Sequence, residues 1–450
     1  MRTPPPPETT PQQGLAPLGR NWLEQHEALV IGILSAIAVV VALVPRWTQL
    51  GAQSVWTDEQ FTLGQTTGSL HHLRVVGHTE IHTPFFATLL WLWNHLVAAG
   101  TAGAVRARAF SALVTALAIV CVPAMLRRTP LTALTRWLLT AAIATSGLGF
   151  LYGQEIRSYG LLWALSVALT VNHVCLELGE TPSRSTKRRC RAHLVLGLLA
   201  SATHLFGLVL AACSIVTLMT RRRIRPARGL VWLAVVALPE AVWIIHGLVL
   251  VPGFAAGTGW NSRPDLLAIT QLLQDVFAWG RPTISDGGFL SLSPAGLMLA
   301  LAVLTIALNR YWSRPAELRQ APPSPALRAA VGLALLALLT IASSWLASQI
   351  TPLWTPRNLI IVDPALRMAL ALFVVAASRS ARTRALLSSA LVVILTVSLI
   401  SVAAANRHPW KTDFRDAVGW RSPLASTTPE CASPGNISPW WAEGNHRSSE

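Results

Sequence analysis

Residues 184–228 read RSTKRRCRAHLVLGLLASATHLFGLVLAACSIVTLMTRRRIRPAR, an apolar stretch between two Arg clusters. Lys and Arg in short loops mark the cytoplasmic face of a membrane protein. Both clusters then lie on one side, and residues 192–219 between them cross the bilayer an even number of times. A single crossing needs about 20 apolar residues. The stretch is longer than that and carries Thr203 and His204 near its middle. Two short helices meeting at His204 satisfy both conditions.

The same rule orders the rest of the chain. Further apolar stretches occur at 28–46, 84–99, 104–126, 132–150, 158–177, 229–249, 289–309, 327–350, 358–378 and 383–404. Basic linkers follow at 127–136, 310–328 and 379–384. All of them fall on the cytoplasmic side if 84–99 does not cross. That stretch is short, begins at Pro84 and carries Trp91, Trp93, Asn94 and His95, residues suited to a helix lying in the interface. The expectation is an all-α polytopic protein of the plasma membrane, with about eleven crossings and interfacial helices in its first outer loop. Residues 1–27, with Pro4 to Pro7 in a row, read as a disordered cytosolic tail, and 28–405 as the transmembrane domain. Loops 47–103 and 250–288 lie outside, with an amphipathic helix expected over 264–279. The residues from 406 to 450 read as a short, truncated outer tail.

Composition supports this class. Of 450 residues, 52% are hydrophobic and 12% charged, about half the charged share of a soluble domain. The net charge of +16 resolves into loop arginines, which removes the case for nucleic acid. Five Cys, none in a CxxC pair, give no metal or disulfide framework.

Polar residues with chemical capability gather on the outer side. Asp58 and Glu59 stand together just beyond the first span. They can serve as a general base on a hydroxyl or bind a divalent cation, or else be the acidic first turn of a helix capped by Thr57 or Asp58. His82 suits a hydrogen bond to phosphate, or a solvated position at the interface. Glu155 and Arg157 lie at the membrane edge between two apolar helices, where ionisable residues are costly. They are a structural ion pair or a phosphate site, since the Arg fork binds phosphate through two hydrogen bonds. His204 is a hairpin cap or a ligand. Arg357, with Arg106 and Arg108, lies outside against the positive-inside rule, which favours an anionic partner such as a lipid phosphate. No nucleotide-phosphate loop occurs in the chain.

Six pieces in order resemble the polytopic GT-C fold glycosyltransferases of the protein O-mannosyltransferase and lipid A aminoarabinose transferase group, over roughly residues 28–378. They are Trp56-Thr57-Asp58-Glu59, His82-Thr83-Pro84-Phe85-Phe86, Ala104–Ser111, Tyr152–Tyr159, Thr203-His204-Leu205-Phe206 and Pro356-Arg357-Asn358-Leu359-Ile360. Thr83 stands where the family often has Pro, and Asn358 where it often has Tyr.

The resemblance implies a polyprenyl-phosphate sugar donor in the membrane lipid, mannose being the expected sugar. The acceptor would be a glycan, lipid or peptide hydroxyl on the outer face. It implies Asp58, with Glu59 beside it, as catalytic base for inverting attack. His82, Glu155, Arg157, Tyr159, His204 and Arg357 would bind substrate, Arg157 and Arg357 on the phosphate. No cofactor is implied. A divalent cation at Asp58 and Glu59 is the one these carboxylates admit, without a full ligand set in view. The competing class is a transporter or flippase of a lipid-linked glycan, for which Glu240 and His246 inside a span would be the marks.

Overall fold

The computed structural model describes residues 26–78, 80, 82–97, 103–179, 184–251, 262–285, 289–313, 322–378, 380–408, 410 and 411. Residues 1–25 of the expected tail over 1–27, most of the segment 250–261 and residues 412–450 lie outside these, and Glu27 already belongs to the first helix.

Long apolar runs become helices because a lipid environment offers backbone groups no water. Eight helical segments are long and apolar enough to cross a membrane. They are α1 (Glu27–Thr48), α5 (Ala104–Leu126), α8 (Tyr159–Leu178), α11 (Pro226–Leu250), α13 (Ala295–Trp312), α14 (Pro325–Ile350), the 3-10 turn Asn358–Val362 running into α15 (Asp363–Ala377), and α16 (Ala381–Ala405). A ninth span is broken: α6 (Ala133–Ala144) meets α7 (Gly147–Leu151) and the 3-10 turn Tyr152–Gln154 at 58°. The other two expected crossings are α9 (Arg184–Thr203) and α10 (Leu205–Thr220). The basic start of α9 leaves it a short apolar part, and α10 has 16 residues, so neither is a full span by length and composition. Among the described residues the count is therefore eight or nine, below the expected eleven. The break between α9 and α10 falls at His204, which caps α10.

The first loop holds three short helices: α2 (Thr57–Thr67), α3 (Leu70–Gly77) and α4 (Phe85–Leu96). The 262–285 part of the second loop holds α12 (Leu267–Val276), shorter than the amphipathic helix expected there. An antiparallel hairpin follows, β1 (Trp279–Ser285) with β2 (Phe289–Ser293). Residues 289–293 were expected to open a helix. Pro294 sits instead at the N-cap of α13 and ends the strand.

The break in the ninth span is closed by two buried arginines. Ser146 caps α7, its Oγ accepting from Gly149 N at 2.8 Å. The backbone carbonyls near the break take donors from elsewhere. Arg367 Nη1 donates to Ala142 O and Thr145 O, each at 3.3 Å, and Arg46 Nη2 to Ser146 O at 3.5 Å. Arg367 is itself paired with Asp363 at 2.7 Å, and Asp363 Oδ2 accepts from Trp163 Nε1 at 2.8 Å. Non-helical backbone at membrane depth survives where protein re-satisfies its polar groups in this way. The main apolar core lies around α8 and α15, whose residues are almost wholly buried, with α6, α14 and α16 packed about them. The loop ends beside α2, α8, α10 and α16 lie together at one end of the bundle, and the Arg-rich linkers lie at the other.

Candidate active site

The chain runs extended through Trp56 and enters α2 at Thr57. Trp56 is the N-cap and makes no side-chain cap, so neither Thr57 nor Asp58 is the capping residue. Asp58 and Glu59 occupy the first turn, about 100° apart around the helix. That angle separates them. Glu59 turns inward and is fully buried, while the Asp58 side chain keeps 30% of its surface exposed.

Glu59 receives a two-pronged hydrogen bond from Arg108 of α5, Nε to Oε1 at 3.0 Å and Nη2 to Oε2 at 2.6 Å. Oε1 also accepts from Ile156 N at 3.0 Å. Arg108 gives its remaining donors to the carbonyls of Leu50, Gln53 and Ser54 at 2.8–3.0 Å. Burial would raise the Glu59 carboxyl, but Lys411, Arg108 and the Ile156 N–H outweigh it and hold the pKa below 4.5. This corrects two sequence expectations. Glu59 is engaged on both oxygens and fixes the loop in place, and Arg108 has no donor left for an external anion. The two carboxylates also face different arginines, so they do not converge on one cation.

Asp58 Oδ2 accepts from Arg357 Nη1 at 3.1 Å. Arg357 comes from the turn before α15 and lies 5.6 Å from the Trp56 ring centre and 5.8 Å from that of Tyr159. Arg157 reaches the same turn of α2 from the loop before α8. It donates to Thr62 Oγ1 at 3.0 Å and to Asp58 O at 3.5 Å. Among the described residues no carboxylate pairs with Arg157.

Glu155 is buried beside them and pairs with Lys411 Nζ at 2.6 Å through Oε1, while Oε2 has no partner among the described residues. Burial raises its pKa above 4.5, Lys411 opposing and Glu59 adding to the rise. His204 Nδ1 accepts from Phe206 N at 3.2 Å, which puts the proton of the neutral ring on Nε2. That nitrogen is buried without a partner among the described residues. The ring stacks on His82 with centres 5.1 Å apart and lies 5.9 Å from Tyr159. Burial first, then Arg157 and Arg357, drive the His204 pKa down to about 3, and burial with the same cations holds His82 well below 6.5. Both rings are neutral at ordinary pH and act only as hydrogen-bond groups. A cavity of about 30 Å³, room for a water molecule, lies between His82, Arg157, Thr62 and Thr203. A larger one of about 590 Å³ lies at the Arg-rich end, lined by Thr132, Tyr311 and Ser324, far from this chemistry.

All eight expected site residues therefore lie at one end of the bundle, although in sequence they span 58 to 357. Two further participants, Lys411 and Trp56, were not expected. Lys411 is one of only two Lys in the chain, the signal that could have marked it. No group of three or more His, Cys, Asp and Glu that could hold a metal ion occurs among the described residues.

No protein-family model matches the chain, and no curated protein matches it in sequence. Solved structures do match. ArnT, the aminoarabinose transferase of Cupriavidus metallidurans, aligns in its apo state with a TM-score of 0.53 at 14% identity, over 83% of this chain and 77% of ArnT. The same protein bound to undecaprenyl phosphate gives 0.52 over the same shares, also at 14% identity. The chain has the GT-C fold. An archaeal oligosaccharyltransferase, AglB from Archaeoglobus fulgidus in complex with an inhibitory peptide and a dolichol-phosphate, gives 0.49 at 14% identity over 89% of this chain and 58% of its own.

Proposed function

We propose that this chain is an integral membrane glycosyltransferase that moves a sugar from a polyprenyl-phosphate donor to an acceptor hydroxyl, with inversion. The observation that carries the reading is the Asp58–Arg357 pair at the exposed edge of the site, with Arg157, which pairs with no carboxylate among the described residues, donating to the same helix. The GT-C fold supports it, as does ArnT's complex with undecaprenyl phosphate. Mannose remains the proposed sugar, and a glycan, lipid or peptide the acceptor. The site is proposed to face the outer side of the plasma membrane, with the N-terminus in the cytoplasm.

Each group has a task in this reaction. Asp58 takes the proton of the acceptor hydroxyl as its oxygen attacks the anomeric carbon. The bond from that carbon to the phosphate oxygen breaks, and the electron pair leaves with the polyprenyl phosphate. Arg157 and Arg357 neutralise that phosphate, an electrostatic contribution of about 3 kcal/mol when such donors are fixed beforehand. Tyr159 and Trp56 hold the Arg357 guanidinium between ring faces. The neutral His204 and His82 offer N–H groups to sugar or phosphate oxygens. Glu59 keeps α2 on α5 and so sets the direction of Asp58. A divalent cation at Asp58 would have to displace Arg357. Transfer is therefore expected to persist in EDTA, and loss that Mg²⁺ or Mn²⁺ restores would revise the role of Arg357.

The test is to incubate the purified protein with a panel of polyprenyl-phosphate sugars and candidate acceptors and to identify products by mass. Transfer from at least one donor is expected. Lipid-linked sugar crossing a bilayer in proteoliposomes without transfer would support a transporter instead. Substitution R157Q is expected to raise the donor KM about tenfold, the worth of a hydrogen bond to a charged group, and to lower kcat by about 10²-fold, the worth of a fixed donor on the leaving phosphate.

A further inference from the structure

The segment that follows α16 is tied across the site by side-chain hydrogen bonds. Gln53 Nε2 donates to Asn406 O at 2.6 Å and to His408 O at 3.0 Å, and its Oε1 accepts from Trp410 N at 3.3 Å. Asn406 Nδ2 donates to Gln49 Oε1 at 3.2 Å and to Gln154 Oε1 at 3.3 Å. Trp410 Nε1 closes back on Asn406 Oδ1 at 3.0 Å. A glutamine and an asparagine thus tie Asn406, His408 and Trp410 to the loop after α1 and the turn before α8.

This strap delivers one charged group. The Lys411 side chain is only 8% exposed, and its Nζ lies 5.5 Å from the Trp56 ring centre and 5.3 Å from that of Trp410. Arg357 sits over the same Trp56 indole. The Trp56 Nε1–H is buried, with no acceptor among the described residues. Burying an ammonium is costly, and among the described residues Glu155 Oε1 is its hydrogen-bond partner, one acceptor for three donors. The charges around it explain the arrangement. Asp58, Glu59 and Glu155 pair with Arg357, Arg108 and Lys411 respectively, while Arg157 pairs with no carboxylate among the described residues, though Glu80 lines the same small cavity. Of these four cations, Arg108 spends all five of its donors on protein acceptors. An anion entering the site can draw on Arg157, Arg357 and Lys411.

We propose that Lys411 is a phosphate-binding residue of this site, carried to it by the strap through Asn406, His408 and Trp410, and that it holds the lipid phosphate together with Arg157 and Arg357. The inference rests on the reading of the chain as a polyprenyl-phosphate-dependent enzyme. On binding, one Lys411 N–H turns from Glu155 to a phosphate oxygen. The ammonium keeps its proton, and its charge helps to stabilise the phosphate as it leaves the sugar.

The test is equilibrium binding of undecaprenyl phosphate to the full-length protein in lipid nanodiscs, with K411Q, K411R and K411Q/E155Q as variants. K411Q is expected to weaken binding about tenfold or more, and K411R to restore most of it. K411Q/E155Q is expected to stay weak, because Lys411 contacts the phosphate itself. Undecaprenol, which lacks the phosphate, is expected to bind all variants alike. Wild-type binding that K411Q does not change, or that K411Q/E155Q recovers, would overturn the role of Lys411 and leave the reading of the enzyme standing. Failure of the wild type to bind undecaprenyl phosphate would overturn both. If K411Q does not fold, K411Q/E155Q, which leaves no lone buried charge, provides the same comparison.

Discussion

Asp58 and Glu59 are neighbours of one chemical type with opposite fates. The turn of α2 sends one to the exposed edge against Arg357 and the other into a buried fork with Arg108. Substitution E59Q leaves the Arg108 guanidinium buried beside a neutral amide and is expected to cost about 3 kcal/mol of stability. That loss would appear as a lower thermal midpoint in detergent, with D58N close to wild type. The pH dependence follows from the sign of the shift. The folded pKa of Glu59 lies below its ordinary 4.5, so its contribution is complete above that pH and is lost as pH falls through the folded value. Wild type should therefore lose stability below pH 4.5 more steeply than E59Q, measured by midpoints across pH 3–6. Glu155, whose pKa is raised, works in the opposite sense above pH 4.5, and E59Q lessens that rise because the Glu59 charge contributes to it, so the comparison is read below pH 4.5. Sequence reading placed both carboxylates at the site but could not divide their roles, because the division depends on a 100° step and on an arginine 49 residues away.

Individual elements show where periodicity and charge suffice and where they do not. The hairpin at His204 was legible because two basic clusters force an even number of crossings and a polar pair marks its middle. Its geometry depends on Gly207, where a methyl group would run into the Ala200 carbonyl. G207A is expected to destabilise the protein by about 1–3 kcal/mol, as overpacking does, and to displace the His204 cap. A lowered melting midpoint together with a raised donor KM would show both. The broken span was not legible. Residues 137–150 are mostly apolar, Thr145-Ser146 being a weak mark within them, and the partners that stabilise the break, Arg46 and Arg367, lie about 100 and 220 residues away. The β-hairpin was missed because Phe289–Ser293 also reads as the start of an apolar run.

At the scale of the whole molecule, arginine has three uses. Arg-rich linkers occupy one end of the bundle. Arg46, Arg108 and Arg367 are buried and bind backbone carbonyls or carboxylates. Arg157 and Arg357 remain at the site. The gathering of the eight expected residues at one end was legible at this scale because the Lys and Arg pattern puts the loops that carry them, and the start of the 158–177 stretch with Tyr159, on one side. Lys411 was not assigned to the site because its place there depends on the contacts of Asn406, His408 and Trp410 with Gln53. The proposed orientation is testable by labelling. In a cysteine-free background, R222C and H408C, both at exposed positions, should react with an impermeant maleimide from opposite sides of the membrane, H408C from outside. Labelling of both from one side would contradict the topology. The central claim is that Asp58 removes the acceptor proton while Arg357 and Arg157 hold the lipid phosphate. Its most direct measurement is the transfer rate of D58N from a saturating polyprenyl-phosphate sugar, taken beside its affinity for undecaprenyl phosphate. General-base loss predicts a rate lower by about 10²–10⁴-fold with affinity kept within a few-fold. Transfer by D58N at the wild-type rate would contradict it.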